Sequence, residues 1–352
     1  MYRIVVFLVF ALFLFSIYYI VLNIGKLNIF ENINGKYKKI IISLVPIILV
    51  FFSFNVINSI VVLMHLFLIM LLFNTINKLF KNKLSKNLCV ILSICFTILY
   101  LGYGMYQVYN VRETKYEIET NKNIGSSNFR IVQITDSHMG TTFDSYEFEE
   151  YINEINKKDP DIVVVTGDFI DDDTSKKDIE HACEVLGKLN TKYGVYFVFG
   201  NHDLGYYKGN NLKELLKKNN IKALEDEIVS VNDNILIVGR KDRRYPRKDI
   251  KQLVKDLDSS KYIIDLNHQP NDYENEKNNV DLVLSGHTHG GQLFPLGLFD
   301  KLLNIDDEYY GLHTRGNTKF IVSSGISNWA LHFKTGTFSE YVIIDLKGNN
   351  NE

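Results

Sequence analysis

The chain has 352 residues and a formal net charge of -2, from 39 basic and 41 acidic side chains. This near balance gives no electrostatic argument for binding nucleic acid, and three cysteines are too few to indicate a disulfide framework. The length allows two or three domains. The overall balance hides a division along the chain, because residues 1–110 are dominated by Ile, Leu, Val and Phe whereas the remainder is mixed and charged.

Four apolar stretches lie within this first part, at residues 4–22, 40–54, 60–73 and 88–108. The first contains no charged group and is long enough to cross a bilayer. No small-x-small cleavage site follows it, which favours an anchor over a cleaved signal peptide. We therefore predict a transmembrane region of about four helices over residues 1–110. Three crossings with one re-entrant segment is the alternative.

The lysines between these stretches predict which side of the membrane the rest of the chain occupies. Two loops carry them: Lys26, Lys36, Lys38, Lys39, Lys78, Lys81, Lys83 and Lys86. Short loops rich in Lys and Arg stay in the cytoplasm, so four crossings place the following domain outside it. Arg112, Lys115 and Lys122 after the last stretch oppose this placement. The predicted location is a multi-pass cell-membrane protein with an extracytoplasmic domain, and the side inverts if one stretch does not cross.

The second part of the chain alternates short apolar runs with helical patterns. Residues 111–127 are polar and predict a linker or an amphipathic entry segment, followed by a domain at 128–347. The predicted strands are 130–135, 161–166, 195–199, 235–238, 262–266, 281–284, 319–322 and 341–345, and the predicted helices are 146–157, 177–189, 211–219 and 249–257. This alternation predicts an α/β (α+β) sandwich with a central mixed β-sheet.

Five of the predicted strands are followed by side chains that can bind metals. These stand in Asp136-Ser137-His138, Gly167-Asp168-Phe169-Ile170-Asp171, Gly200-Asn201-His202-Asp203, His268 and Gly286-His287-Thr288-His289. Ligands in open α/β sheets gather at the carboxyl ends of strands. A single Asp- or Asn-rich turn has a backbone explanation, but five in order, containing five histidines, do not. The series predicts a functional site.

The chemistry of these side chains indicates metal-dependent hydrolysis. Histidine and carboxylate ligands suit divalent Mn, Fe or Zn, and one ion does not need so many ligands. Two ions about 3.5–4 Å apart, bridged by a carboxylate, can clamp an in-line displacement at phosphorus and generate a hydroxide at neutral pH. The residues therefore predict two divalent metal ions and a phosphorylated substrate.

The ordered series Asp-x-His, Gly-Asp-x-x-Asp, Gly-Asn-His-Asp, His and Gly-His-x-His resembles the calcineurin-like metallophosphoesterases over about residues 128–346. The resemblance implies a two-layer β-sandwich that carries two metals. It implies ligands Asp136, His138, Asp168 and His289 for one metal, and Asp168, Asn201, His268 and His287 for the other. It also implies that His202 contacts phosphate and protonates the leaving oxygen, oriented by Asp203.

A membrane-attached branch of that family is similar in the residues Gly290-Gly291-Gln292 after the histidine pair. That branch includes enzymes that cleave a UDP-sugar lipid pyrophosphate. This sequence departs from it at 328–334, where a Pro and an Arg near the pocket are usual. His332 or Lys334 could substitute for the arginine, and a solvated loop is the alternative. Residues 240–244, with three arginines, could line a phosphate-binding rim or form a solvated loop.

The sequence thus predicts a membrane-anchored phosphoesterase that hydrolyses a phosphoester or pyrophosphate of a small molecule or lipid. The alternative is a membrane sensor or binding protein that keeps the fold without turnover. His202 and all seven expected ligands are present, which favours the enzyme. Nothing in the sequence identifies a protein partner.

Overall fold

A computed structural model describes residues 2–30, 33–203 and 210–348. The chain divides into two compact units. The helical unit comprises Met1–Met105 and Ala330–Phe333, and the second unit comprises Tyr106–Trp329 and Lys334–Glu352.

All four predicted apolar stretches are helical. The helices are α1 (Tyr2–Ile24), α2 (Lys36–Ser53), α3 (Val56–Leu79) and α4 (Lys86–Tyr109). In the described part of the chain, α3 and α4 are long and apolar enough to cross a membrane, and Phe10–Ile24 is a shorter apolar helix. Two of the four expected crossings therefore meet this criterion, and the multi-span arrangement stays a prediction.

The helical unit is held together by apolar packing and presents apolar side chains outward. The ring of Phe67 on α3 packs edge-on against Phe15 and Tyr19 of α1, and Asn55 caps α3 by accepting a hydrogen bond from the Asn58 amide. Large side chains such as Phe52 and Leu99 are more than 70% exposed. Such an apolar surface fits hydrocarbon better than water.

The described residues of the second unit form two mixed, six-stranded sheets, in agreement with the two-layer sandwich that the resemblance implies. The central mixed sheet that the alternation of strands and helices predicts is thus divided into two. The first has the order β1-β12-β2-β3-β4-β5 and the second β10-β11-β9-β8-β7-β6. Their strands are β1 (Arg112–Thr120), β2 (Asn128–Ile134), β3 (Ile162–Thr166), β4 (Val195–Val198), β5 (Ile221–Leu224), β6 (Glu227–Ser230), β7 (Ile235–Gly239), β8 (Tyr262–Leu266), β9 (Leu282–Ser285), β10 (Gly311–Arg315), β11 (Thr318–Val322) and β12 (Glu340–Gly348).

Alternating side chains of each strand serve two different cores, which explains why the apolar runs are continuous. Ile162 and Val164 of β3 pack between the sheets, with side chains from β7 and β8. Val163 and Val165 face the other way, toward helices α5 (Ser145–Asn156) and α6 (Lys176–Leu186). Complete burial of each such side chain contributes about 1.5–3 kcal/mol. Four more helices complete the described part of this unit: α7 (Asn210–Lys218), α8 (Ile250–Val254), α9 (Tyr273–Glu276) and α10 (Leu296–Leu303).

The expected linker at 111–127 is wrong over most of its length, because residues Arg112–Thr120 form strand β1. This strand pairs in parallel with β12 at the edge of the first sheet. Its charged side chains alternate with others as an exposed edge strand requires, and Lys115 contacts the buried carboxylate of Asp345 at 3.0 Å. The sequence pattern did not predict this strand, because Ile118 is its only buried residue and no apolar run marks it.

Candidate metal centre

The carboxyl ends of five strands meet in one place and bring the seven expected ligands together. In the first sheet, β2, β3 and β4 are consecutive parallel neighbours, so the turns that contain Asp136, Asp168 and Asn201 lie side by side. In the second sheet, β8 and β9 are also parallel neighbours, and they deliver His268 and the pair His287 and His289.

One group of ligands is formed by Asp136, His138 and His289, whose donor atoms all lie within 4.8 Å of one another. The Nε2 atoms of the two histidines face each other at 3.1 Å. The Nε2 of His289 lies 3.7 Å from Oδ1 of Asp136. All three side chains are buried, so these donors converge on a single point away from bulk water.

A second group is formed by Asp168, His268 and His287, again with donor atoms within 4.8 Å. The Nε2 of His268 lies 3.1 Å from Oδ2 of Asp168. That same carboxylate oxygen is 3.7 Å from Nε2 of His138 in the first group. Asp168 therefore stands between the two groups, in the position that a bridging ligand requires.

These residues fit two divalent cations. The buried Oδ1 of Asn201 lines the cleft and has no hydrogen-bond partner among the described residues. Leaving a buried polar atom unpaired costs about 1–3 kcal/mol, and a cation would satisfy it. The donors are imidazole nitrogens and carboxylate or amide oxygens, a set that suits Mn, Fe or Zn.

The backbone at the site is held in an unfavourable conformation. Five of the expected ligands have a positive φ: Asp136, His138, Asp168, His287 and His289. Residues other than glycine rarely adopt this left-handed region, and each instance costs on the order of 1–3 kcal/mol. Concentration of this strain on the donors indicates that the fold positions them at the expense of stability.

Two glycines allow the ligand loops to approach closely. A Cβ added to Gly200 would lie 2.2 Å from Oδ1 of Asp168, and one added to Gly286 would lie 2.2 Å from Oδ2 of Asp136. Neither carboxylate can move aside without leaving the cluster. The glycines next to the ligands are thus required by the space that the carboxylates occupy.

Burial and mutual charge set the protonation of the cluster. Burial lowers the pKa of His268, but the carboxylates of Asp168 and Asp136 outweigh this effect and raise it to about 10. Burial and the charge of His268 lower the pKa of His287 to about 3. A metal must displace the proton on His268, so metal binding is coupled to proton release.

His202 is paired with Asp171 and not with Asp203, which corrects the expected orienting residue. The Nδ1 of His202 lies 2.9 Å from Oδ1 of Asp171, and its ring is partly exposed in the cleft. Burial lowers the pKa of His202, but the hydrogen bond to Asp171 and the charge of Asp168 raise it overall. The ring of His202 is therefore held at the edge of the metal cluster, with its protonated form favoured.

Asp203 instead holds the backbone of the two ligand loops. Its carboxylate accepts hydrogen bonds from the amides of Phe169, Ile170 and Gly200, at 2.7–3.1 Å. The side chain is fully buried, and burial raises its pKa to about 6. Asp203 thus fixes the position of the neighbouring Asp168 loop, whereas the ring of His202 is paired with Asp171.

The cleft over the metal centre has a volume of about 300 Å³, and three more side chains line it besides the expected site residues. Arg244, Gln292 and Trp329 line its rim, and the ring of Trp329 lies 5.5 Å from that of His202. Arg244 stands in the arginine-rich loop after β7, where the sequence left a solvated loop as the alternative. Its adjacency to the cleft depends on tertiary structure.

Lys334 does not replace the missing arginine. Its side chain is fully buried, and Nζ donates hydrogen bonds to the backbone oxygens of Ser324 and Ser327, at 2.6 and 3.0 Å. Arg240 of the arginine-rich loop is also buried, among Asp265, Asp272 and Glu276. Both cations serve the interior of the fold, and Arg244 remains the cation of this loop in the cleft.

Comparison with known proteins agrees with this arrangement. The family model described as calcineurin-like phosphoesterase matches residues 129–291. An uncharacterized metallophosphoesterase of Campylobacter jejuni is 33% identical, over 76% of this chain and 74% of its own length. One from Aquifex aeolicus is 32% identical, over 73% of this chain and its entire length.

The chain belongs to the calcineurin-like metallophosphoesterase family. It is therefore a metal-dependent phosphoester hydrolase, as the sequence predicted. A Danio rerio protein named as a transmembrane protein with a metallophosphoesterase domain is 29% identical, over 84% of this chain and 73% of that protein. The name of this relative combines a transmembrane protein with the family's domain, and four apolar helices precede the domain here.

Proposed function

We propose that this metallophosphoesterase is anchored in a membrane and uses two divalent metals to hydrolyse a phosphoester or pyrophosphate, with a lipid-linked substrate as the class that fits best. The position of Asp168 between the two groups of donors carries the two-metal part of this proposal. Both groups would be needed to hold a phosphate between them.

Each residue of the site has a separate role in this proposal. Asp136, His138 and His289 would hold one cation, Asn201, His268 and His287 the other, and Asp168 both. The cations when bound supply charge neutralisation and an attacking hydroxide at neutral pH. His202 donates a proton to the leaving oxygen, and Asp171 keeps its ring turned toward the cleft. Arg244 at the rim attracts the phosphate.

The membrane part of the proposal is supported by the four apolar helices that precede the domain. Their apolar faces are exposed, and two of them have the length and composition of a span. A hydrolase fixed to a bilayer meets amphiphilic substrates at a high local concentration. A lipid phosphoester or lipid pyrophosphate is the substrate class that benefits most.

The bridging role of Asp168 provides the test. Asp168→Ala should hold well under two metals per chain and lose nearly all hydrolysis, because one change disturbs both sites. Asn201→Ala should weaken mainly one site. Asp172→Ala, an exposed neighbour, is the matched control and should keep both metals. Elemental analysis of the purified proteins measures occupancy, and full occupancy in Asp168→Ala contradicts the assignment.

A hydrolysis screen with added Mn distinguishes the enzyme from the binding-protein alternative. Purified full-length protein is assayed against phosphomonoesters, phosphodiesters and lipid pyrophosphates. Turnover in any class that is lost in Asp168→Ala supports the enzyme. Two bound metals without turnover in any class favours a domain that binds phosphate but does not cleave it.

A further inference from the structure

The apolar segment 294–305, which contains helix α10, exposes an unusual set of side chains beside the metal cleft. Seven large apolar side chains in this segment are at least half exposed: Phe294, Leu296, Leu298, Phe299, Leu302, Leu303 and Ile305. In the described part of the second unit, the only other large hydrophobic side chains exposed to that degree are Tyr106 and Tyr146. A concentration of this kind marks an interaction surface.

The outward orientation of α10 is built into the fold. The helix contacts the domain through Gly297, whose added Cβ would lie 2.7 Å from the ring of Tyr309 and 3.4 Å from Cα of Gly291. Tyr309 in turn accepts a hydrogen bond from the hydroxyl of Thr288, between the two histidine ligands. The smallest residue of the helix therefore faces the domain, and the leucines face away. An ordinary surface helix has the opposite arrangement.

The segment adjoins the metal centre through a second cleft. This cleft has a volume of about 320 Å³ and is lined by Leu296, Phe299 and Ile305 on one side and His287 on the other. It shares His287, Thr288 and Gln292 with the cleft that holds the catalytic histidine. An apolar groove thus leads from the exposed helix to the metal ligands.

Basic side chains flank the apolar segment. Arg243 and Ile305 line one depression on the surface, and the neighbouring Arg244 lines the metal cleft. Both arginines are exposed. Asp300 and Asp306 line the groove, and Asp306 and Asp307 line the depression beside Arg243. Apolar side chains bordered by arginines match the boundary between acyl chains and anionic headgroups.

The connection to α4 keeps the domain close to any bilayer that this helix crosses. Only residues 110 and 111 separate the end of α4, one of the two candidate spans, from the first strand of the domain. A tether of two residues extends no more than about 7 Å. The domain would therefore remain at the surface of any membrane that α4 crosses.

We propose that residues 294–305 insert into the bilayer surface as an interfacial segment, with the bilayer itself as the partner. The metal cleft then opens at the level of the headgroups, and a substrate enters with its phosphate in the metal cleft and its apolar part in the groove. This inference rests on the proposed membrane anchoring, and its substrate consequence rests on the proposed phosphoesterase function.

Fluorescence quenching by brominated lipid tests the insertion on the full-length protein in lipid nanodiscs. The chain contains a single tryptophan, Trp329, so emission added by Leu302→Trp is measured as the difference from the unmodified protein. Interfacial segments lie about 5–10 Å into the headgroup and acyl boundary. Dibromo-phosphatidylcholine with bromines near the carbonyl end should therefore reduce the added emission about twofold relative to unbrominated lipid.

Ile228→Trp is the matched control, because Ile228 is an exposed aliphatic side chain of the same domain. It lies on β6, at the edge of the second sheet opposite to β10. Its added emission should be quenched little. Equal quenching at both positions, or none at Leu302→Trp, overturns the proposal. The tryptophan of Leu302→Trp could instead be shielded from acrylamide in a way that depends on the number of chains per disc and not on bromine. That result would identify a second copy of the chain as the occupant and would also overturn the proposal. The readout needs no hydrolysis, so its failure leaves the phosphoesterase proposal intact.

Discussion

At the scale of single residues, His202 and Asp171 form the pair to which we assign proton transfer in the proposed mechanism. The carboxylate of Asp171 is shared, since its Oδ1 lies 2.9 Å from His202 and its Oδ2 lies 3.3 Å from Nδ1 of His138. Asp171 can therefore orient one donor histidine and one metal-binding histidine at the same time. This arrangement explains why the second motif contains two aspartates.

Replacing His202 should separate proton donation from metal binding. His202→Asn should keep both metals and lower the rate about 10²–10⁴-fold for alkyl leaving groups. Substrates with acidic leaving groups, such as nitrophenyl esters, should lose much less because they leave without a proton. Asp171→Asn should show the same leaving-group dependence with a smaller loss, and the exposed Asp172→Asn should not. An equal loss for both leaving-group classes rejects the role.

Lys334 gives the pH dependence of stability a predictable sign. Burial lowers its pKa in the folded protein to about 7, below the unfolded value of about 10.4. Between these values the unfolded chain binds a proton that the folded chain does not. The contribution of Lys334 to the free energy of unfolding therefore rises with pH from about 7 to about 10.

Thermal unfolding of the purified protein at pH 7 and pH 9 measures this effect. The unmodified protein should gain stability relative to Lys334→Met as the pH rises, by about 1.4 kcal/mol for each unit of pH in the window. Lys255→Met is the control, because this side chain is exposed on the surface. The prediction is contradicted if the free energies of unfolding of Lys334→Met and the unmodified protein differ by the same amount at both pH values.

At the scale of elements, α10 approaches the ligand loop through a close contact between two backbones. Gly291 follows His289 by two residues, and an added Cβ on Gly291 would lie 2.5 Å from Cα of Gly297. The position of α10 and the conformation of the His289 loop are thus coupled through two glycines. Neither backbone can shift without moving the other.

Gly297→Ala should therefore disturb the metal centre without touching a ligand. Its methyl group would lie 2.7 Å from the ring of Tyr309, and overpacking of this kind costs about 1–3 kcal/mol. We expect a lower unfolding temperature and weaker binding of one metal, measured by thermal scanning and metal titration. Gly102→Ala on α4 is the control, since no atom lies within 4 Å of its added Cβ. Unchanged metal affinity in Gly297→Ala contradicts the coupling.

At the scale of the whole molecule, the distribution of lysines predicts the side of the membrane. Eight lysines lie in or next to the two connections from α1 to α2 and from α3 to α4, whereas the turn between α2 and α3 has no charge. With four crossings, the rule that basic loops stay inside puts the catalytic domain outside the cytoplasm. Three crossings would put it inside, so the number of spans decides the side.

Reporter fusions at the C-terminus measure this directly. Alkaline phosphatase should be active there and a fluorescent protein that matures only in the cytoplasm should be dark. Fusions placed in the loop after α3 should give the reverse pattern and serve as the internal control. Fluorescence without phosphatase activity at the C-terminus overturns the exterior placement.

The sequence by itself determined the strands of the core and the ligands. Apolar runs such as 162–166 predict buried strands without any partner being known, and polar residues at their ends must then lie at one edge of the sheet. The series from Asp136 to His289 could therefore be assembled in advance. Local periodicity predicts the strands, and turn composition predicts the polar residues at their ends. Both patterns depend only on residues that are close together in the chain.

Only the tertiary structure decided which of these groups touch. Asp171 and Asp203 stand at similar places in their turns, yet the distance between two loops determines that Asp171 reaches His202 and Asp203 reaches backbone amides. The burial of Lys334, the pairing of β1 and the outward face of α10 likewise depend on packing partners that are distant along the chain. No local pattern encodes those distances, because they arise when two sheets and their loops come together in space.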